Sequence, residues 1–159
     1  MQKVLITTVK EKLALLLTQI VGKPVTSEVA PAAAAAASGP GLVATYETGT
    51  GELAAICVSD LELVANAGAA LCMIPPYVAQ ESIKAKKILE PSLSENYQEV
   101  LNICARLFSD SPDSRIRLRS VEFKEKCDPS KLIPNAAAPR ELRVNISGYG
   151  RGRMWICAG

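Results

Sequence analysis

Residues 93–108, LSENYQEVLNICARLF, constrain the fold more than any other stretch of the chain. Large apolar residues recur at Leu93, Tyr97, Val100, Leu101, Cys104, Leu107 and Phe108, the spacing of a helix with one broad buried face. At about 100° per residue, Glu95, Glu99, Asn102 and Arg106 fall on a narrow polar ridge opposite. The apolar face requires a core beneath it, and the ridge is left to meet water or a partner. The asparagine is the unusual member, because its side chain competes for backbone hydrogen bonds and weakens a helix interior. On the residues alone, two readings stay open. One is a solvated face whose Asn costs on the order of a few tenths of a kcal/mol. The other is a site in which the Glu99 carboxylate and Asn102 amide, neighbours at i and i+3, act together on a docked ligand.

The segments before it predict helices and hairpins. Val9, Leu13, Leu16, Leu17 and Ile20 follow a helical period, so the first helix runs from near Gln2 to Val21, with Gly22 at its end and Pro24 barring continuation. Residues 24–30 suit an edge strand. Residues 31–41, an alanine run closed by Ser-Gly-Pro-Gly, read as a variable surface connection. The runs 42–48 and 52–58 around Gly49-Thr50-Gly51 predict a hairpin. Ser59 then caps a helix in capping-box fashion with Glu62, and Val58 staples to Leu63; this helix extends to about Ile74. Ala65, Ala67, Gly68, Ala69 and Ala70 leave one side nearly free of bulk, which suits close packing. Pro75-Pro76 ends it and Pro76 starts a shorter helix. Lys84, Lys86 and Lys87 cluster at the end of that helix, where the dipole favours cations. Ser92 or Ser94 caps the ridge helix.

After 111–113 the period changes to two. Residues 115–123 alternate strictly, predicting a strand with one buried and one wet face. Residues 127–139 form a Pro- and Ala-rich loop, and 142–146 and 154–157 close the chain as strands. The glycine-rich 148–153 segment precedes a strand, so it reads as a hairpin turn rather than a phosphate cradle, which needs a following helix. The sum is one domain over residues 1–159, of α+β class: two layers, with helices packed on a mainly antiparallel six-stranded sheet.

Composition narrows the chemistry. The chain has no histidine, which removes His-based nucleophilic triads and His-containing metal sites. Its five cysteines contain no Cys-x-x-Cys pair and read as small core residues of a reduced cytoplasmic protein, with no metal site. Net charge is +2, so nothing demands nucleic acid. Arg115, Arg117, Arg119, Arg151 and Arg153 lack interleaved exposed aromatics, and the wet face of a sheet accounts for them. The charges at Lys3, Lys10, Glu11 and Lys12 interrupt the N-terminal apolar run, and 13–22 is too short to span a bilayer; no membrane association is expected.

The run Glu99-Val100-Leu101-Asn102-Ile103 on an amphipathic helix, with helices before it and strands after, resembles the CheC/CheX/FliY phosphatase family of bacterial chemotaxis. The Met73-Ile74-Pro75-Pro76 junction and the Gly148-Tyr149-Gly150 hairpin extend the likeness, closest to stand-alone CheC-like proteins. The resemblance implies hydrolysis of the phospho-aspartate on a CheY-like response-regulator receiver domain in two-component signalling. Asn102 would orient the attacking water and Glu99 would engage the receiver's active-site lysine. The chain would need no cofactor of its own, Mg²⁺ being supplied by the receiver. Three positions depart from the family pattern: Glu95 stands where Asp or Ser is usual, Arg106 where a small Gly is usual, and the first helix has Glu11 followed by Ala14 rather than a second Asn. Glu95 and Arg106 thereby become partner-binding candidates. The rival reading is a non-catalytic adaptor that binds a receiver or another partner through the same helix. An open antiparallel sheet also leaves edges through which a homodimer could form.

Overall fold

The structure, a computed structural model, describes residues 2–31, 39–109, 115–128 and 139–158. Most of the Ala-rich 31–41 connection and of the 127–139 loop, and the 111–113 boundary, lie outside the described residues.

Helix α1 (Gln2–Val21) comes first. Val9, Leu13, Leu17 and Val21 form its buried stripe. Gly22 adopts φ +69° and its N–H donates to the Thr18 carbonyl at 3.0 Å, closing the helix. The chain then reverses into strand β1 (Val25–Val29). Thr18 Oγ1 accepts the Val25 N–H at 3.1 Å, and Ser27 Oγ donates to the Lys10 carbonyl at 2.8 Å. Helix α1 thus covers the outer edge of β1 and satisfies part of what an edge strand leaves unpaired.

Strands β2 (Gly41–Glu47) and β3 (Leu53–Asp60) form the expected hairpin. Helices α2 (Leu61–Leu71), α3 (Pro76–Ala85) and α4 (Pro91–Ile103) follow, then a 3₁₀ helix (Cys104–Phe108). Strands β4 (Arg117–Lys124), β5 (Arg140–Ile146) and β6 (Gly150–Ala158) complete the chain. The six strands form one sheet in the order β1-β5-β6-β3-β2-β4, with every neighbour antiparallel. The architecture is therefore the α+β arrangement expected, and helices α1, α2 and α4 pack on one face of the sheet. Leu13, Leu17, Tyr46, Leu63, Tyr97, Leu101, Leu142 and Met154 are among the residues of that core.

The opposite face is mostly polar but holds a small apolar row. Val43, Val58 and Trp155 align across β2, β3 and β6 and are buried with Cys127. Val58 therefore points away from Leu63, which sits in the main core, and the expected staple between them does not form. Helix α2 stops at Leu71 rather than Ile74, and Met73 takes φ +57° on the way to the proline pair.

Strand β4 departs from the strict alternation expected of it. It starts at Arg117 rather than Arg115, and none of its residues is fully buried. Two causes act: it is the edge strand at the far side of the sheet, and its register with β2 shifts between Thr45 and Tyr46. Arg117 and Arg119 both turn to Glu47, at 2.8 and 3.7 Å. The glycine-rich segment turns at Ser147–Tyr149 and is already strand from Gly150.

The small residues of α2 serve as expected. A Cβ on Gly68 would collide with the Leu93 carbonyl, so the α2–α4 crossing is closer than any side chain permits.

Candidate functional site

Helix α4 begins at Pro91, whose fixed φ suits the first helical position and moves the cap to Glu90. The expected caps do other work: Ser92 Oγ donates to Glu90 Oε1 at 3.2 Å and Ser94 Oγ donates to the Pro91 carbonyl at 3.1 Å. Leu93, Tyr97, Val100 and Leu101 are all 0% exposed, as the period required. The predicted single helix over 93–108 tightens to 3₁₀ geometry from Cys104.

Three hydrogen bonds anchor α4 from below. Tyr97 Oη and Ser59 Oγ share a bond of 2.7 Å. Asn96 Nδ2 donates to the Gly68 carbonyl at 2.9 Å. Tyr46 Oη, rising from β2, donates to the Leu101 carbonyl at 2.6 Å, where the helix begins to tighten. That carbonyl belongs to the Leu101–Asn102 peptide, so Tyr46 fixes the backbone unit that carries Asn102. Tyr46 is itself 0% exposed, with its ring tilted 52° against Phe108 at a centroid distance of 4.9 Å. Burial pushes the Tyr46 and Tyr97 phenols far above their ordinary range, so both stay protonated. The period of 93–108 did not reveal Tyr46; a tyrosine in an apolar strand carries no signal of which carbonyl it will meet.

On the other side of α4, Glu95, Glu99, Asn102 and Arg106 are all exposed. Glu95, Glu99 and Asn102 follow one another at four and three residues, and Arg106 continues the stripe on the 3₁₀ helix. The carboxylate and the amide therefore lie one turn apart on the exposed side of α4, with no side-chain hydrogen bond among the described residues. Arg106 also lines a cavity of about 170 Å³ with Lys12, Leu15, Leu16, Gln19 and Leu107, formed between α1 and the 3₁₀ helix. On α1 itself, Glu11 is exposed and Ala14 is half-buried.

A second polar cluster forms at the β3–α2 junction. The cap of α2 is Asp60, not Ser59: strand alternation sends the Ser59 hydroxyl into the core toward Tyr97 and leaves Asp60 at the helix start. Its Oδ1 accepts the Leu63 N–H at 2.9 Å and the Arg153 N–H at 3.0 Å, while Oδ2 pairs with Arg153 Nε at 3.3 Å. Burial raises the Asp60 carboxyl above its usual range, against the opposing pull of these donors. Arg153 also lies over the Trp155 ring at 5.2 Å. Beyond it, on the polar face of the sheet, Thr26, Glu28, Arg143, Asn145 and Arg151 help line a trough of about 580 Å³. The arginines considered together in the sequence are thus parted. Arg117 and Arg119 meet Glu47 at one edge, and Arg153 meets Asp60 three strands away.

The cysteines Cys57, Cys104, Cys127 and Cys157 are buried, and Cys72 is exposed. Among the described residues, no helix is long and apolar enough to cross a membrane.

No model of a known protein family matches the chain, and no curated protein matches it in sequence. Solved structures do match. FliY from Thermotoga maritima aligns over 95% of this chain and 84% of its own, at 17% identity and TM-score 0.61. CheX, in a complex with CheY, BeF₃ and Mg²⁺ from Borrelia burgdorferi, aligns over 96% of both chains at 10% identity and TM-score 0.56. FliM, in a complex with FliG from H. pylori, aligns over 97% of this chain and 88% of its own, at 11% identity and TM-score 0.53. At these identities the likeness is one of fold, and the chain has the fold of the CheC/CheX/FliY proteins.

Proposed function

We propose that this protein is a phosphatase for the phospho-aspartate of a response-regulator receiver domain, with Asn102 catalytic and Glu99 docking. The observation that carries the reading is the exposed Glu99–Asn102 pair on a helix anchored by Tyr46, Tyr97 and Asn96. An amide offers a donor and an acceptor at once, so Asn102 can hold a water while bonding a phosphoryl oxygen. The water attacks phosphorus, the P–O bond to the aspartate breaks, and inorganic phosphate leaves with the carboxylate restored. Such transfer depends on positioning and electrostatics more than on covalent participation, which suits a chain without histidine. Glu99, one turn earlier, pairs with the receiver's lysine and fixes the docked pose. The Mg²⁺ that offsets phosphoryl charge is the receiver's own. The resemblance of the Glu-x-x-Asn run supports these roles, as does a CheX solved with CheY, BeF₃ and Mg²⁺. The reaction belongs in the bacterial cytoplasm, where receivers are phosphorylated.

The test is single-turnover decay of phosphorylated receiver domains from the source organism. The wild-type chain accelerates decay of its cognate receiver, and Asn102→Ala reduces that acceleration at least tenfold. Failure to accelerate any receiver would remove the enzymatic reading.

A second reading has its own support. Arg106 puts a charge beside the pair where the family pattern has a small Gly, and FliM with this fold is solved in complex with FliG. A non-catalytic adaptor would bind a receiver or other signalling protein through Arg106. Its capture of that partner would depend on Arg106 and not on Asn102.

A further inference from the structure

The cavity between α1 and the 3₁₀ helix is not accounted for by the Glu99–Asn102 pair. Leu15, Leu16 and Leu107 line it together with Lys12, Gln19 and Arg106. Leu15 is 62% exposed, and it lies off the stripe of Val9, Leu13, Leu17 and Val21 that seats α1 in the core. Lys12, Leu15, Leu16 and Gln19 instead form a second stripe at i, i+3, i+4 and i+7. Leu15 is the exposed apolar member of this second stripe, while Leu16 is partly buried against the main core. Among the described residues, neither Lys12 nor Arg106 is held in an ion pair. Glu11 stands one turn before Leu15 and does not line the cavity.

We infer that this slot is the docking pocket for one apolar side chain that the receiver presents beside its own carboxylates, the inference resting on the phosphatase reading above. Three observations support it. The slot is continuous with the ridge, because Arg106 belongs to both and stands one turn beyond Asn102. A cavity of about 170 Å³ suits one large aliphatic or aromatic side chain, since an apolar protein cavity of about 150 Å³ accepts benzene. Charge adds to the match: the phosphoryl group and metal-binding carboxylates of a receiver are only partly offset by its Mg²⁺, and Lys12 and Arg106, in no ion pair among the described residues, line the slot. The slot sets affinity and register, and the Asn102 amide does the chemistry.

The experiment measures binding separately from turnover. Each receiver domain of the source organism, activated with beryllofluoride, is titrated with the wild-type chain, and phosphate release is followed in parallel. For the receiver that binds, Leu15→Glu raises Kd at least tenfold, while Leu15→Met keeps it within about twofold. Because Leu15 is exposed, circular dichroism of both variants matches wild type. Asn102→Ala leaves Kd within about threefold and abolishes the acceleration of phosphate release. If Leu15→Glu binds as wild type does, the slot inference is wrong, although an intact Asn102 effect keeps the phosphatase reading. If the wild-type chain binds no activated receiver, both fall.

Discussion

Two polar clusters in this molecule carry carboxylates at helices, and they are built in opposite ways. At the β3–α2 junction, Asp60 is buried, and its oxygens are committed to two backbone N–H groups and a guanidinium. On α4, Glu99 and Asn102 are exposed, and among the described residues their side chains bond to nothing. The first cluster spends its hydrogen-bonding capacity on holding β3, α2 and β6 together. The second holds none of the fold together and has its capacity free. Stability therefore belongs with Asp60, and the proposed ligand chemistry with Asn102. The same separation recurs within α4: Tyr46, Tyr97 and Asn96 do the holding from beneath, so the ridge need not.

Removing Asp60 produces the largest effect on the fold. Asp60→Ala strands the Leu63 and Arg153 N–H groups, removes the ion pair to the part-exposed Arg153 guanidinium, and deletes the cap of α2. The expected loss is about 2–4 kcal/mol of unfolding free energy, read by chemical denaturation. A loss below about 0.5 kcal/mol, the range of ordinary surface substitutions, would break the contrast between the two clusters.

Tyr46→Phe sharpens it. The ring still packs against Phe108, but the Leu101 carbonyl loses its donor, at a cost of about 0.5–1.5 kcal/mol. Because that peptide carries Asn102, receiver dephosphorylation falls several-fold at saturating receiver while KM hardly changes. An unchanged rate with the expected stability loss would show that Tyr46 supports the helix without placing the amide.

The smallest effect is one of reactivity. Burial pushes the Cys104 thiol up to about 12 and the Cys57 thiol higher still, so at pH 8 neither forms appreciable thiolate. A thiol reagent should modify exposed Cys72 in the native protein, and Cys57 and Cys104 only on unfolding. Rapid native labelling of Cys104 would mean that α4 lifts from the core, against the anchored helix described here.

Much of this was legible in the sequence, for identifiable reasons. The period of 93–108 located the buried face and the ridge of α4, because burial imposes spacing. Gly22 and the alanine-rich side of α2 announced a helix end and a close crossing, because only small residues permit them. What failed was local competition between neighbouring polar residues. Ser59 and Asp60 both can cap, and only the parity of β3 decides which side chain reaches the helix start. Pro91 likewise displaced the serines as the start of α4. The Tyr46–Leu101 bond spans 55 residues, and the Lys12–Arg106 slot joins elements far apart in the chain; neither leaves a mark on local spacing. The edge strand β4 lost its alternation because a register shift and an uncovered side blur the distinction between faces.

The proposed role of Asn102 is in chemistry, with no part in holding the fold. The most direct measurement compares wild type and Asn102→Ala for both phosphorylated-receiver decay and melting temperature on the same preparations. Asn102→Ala is expected to lose at least tenfold in acceleration, about 1.4 kcal/mol in transition-state stabilisation, at an unchanged melting temperature. Equal decay rates for the two proteins would contradict it.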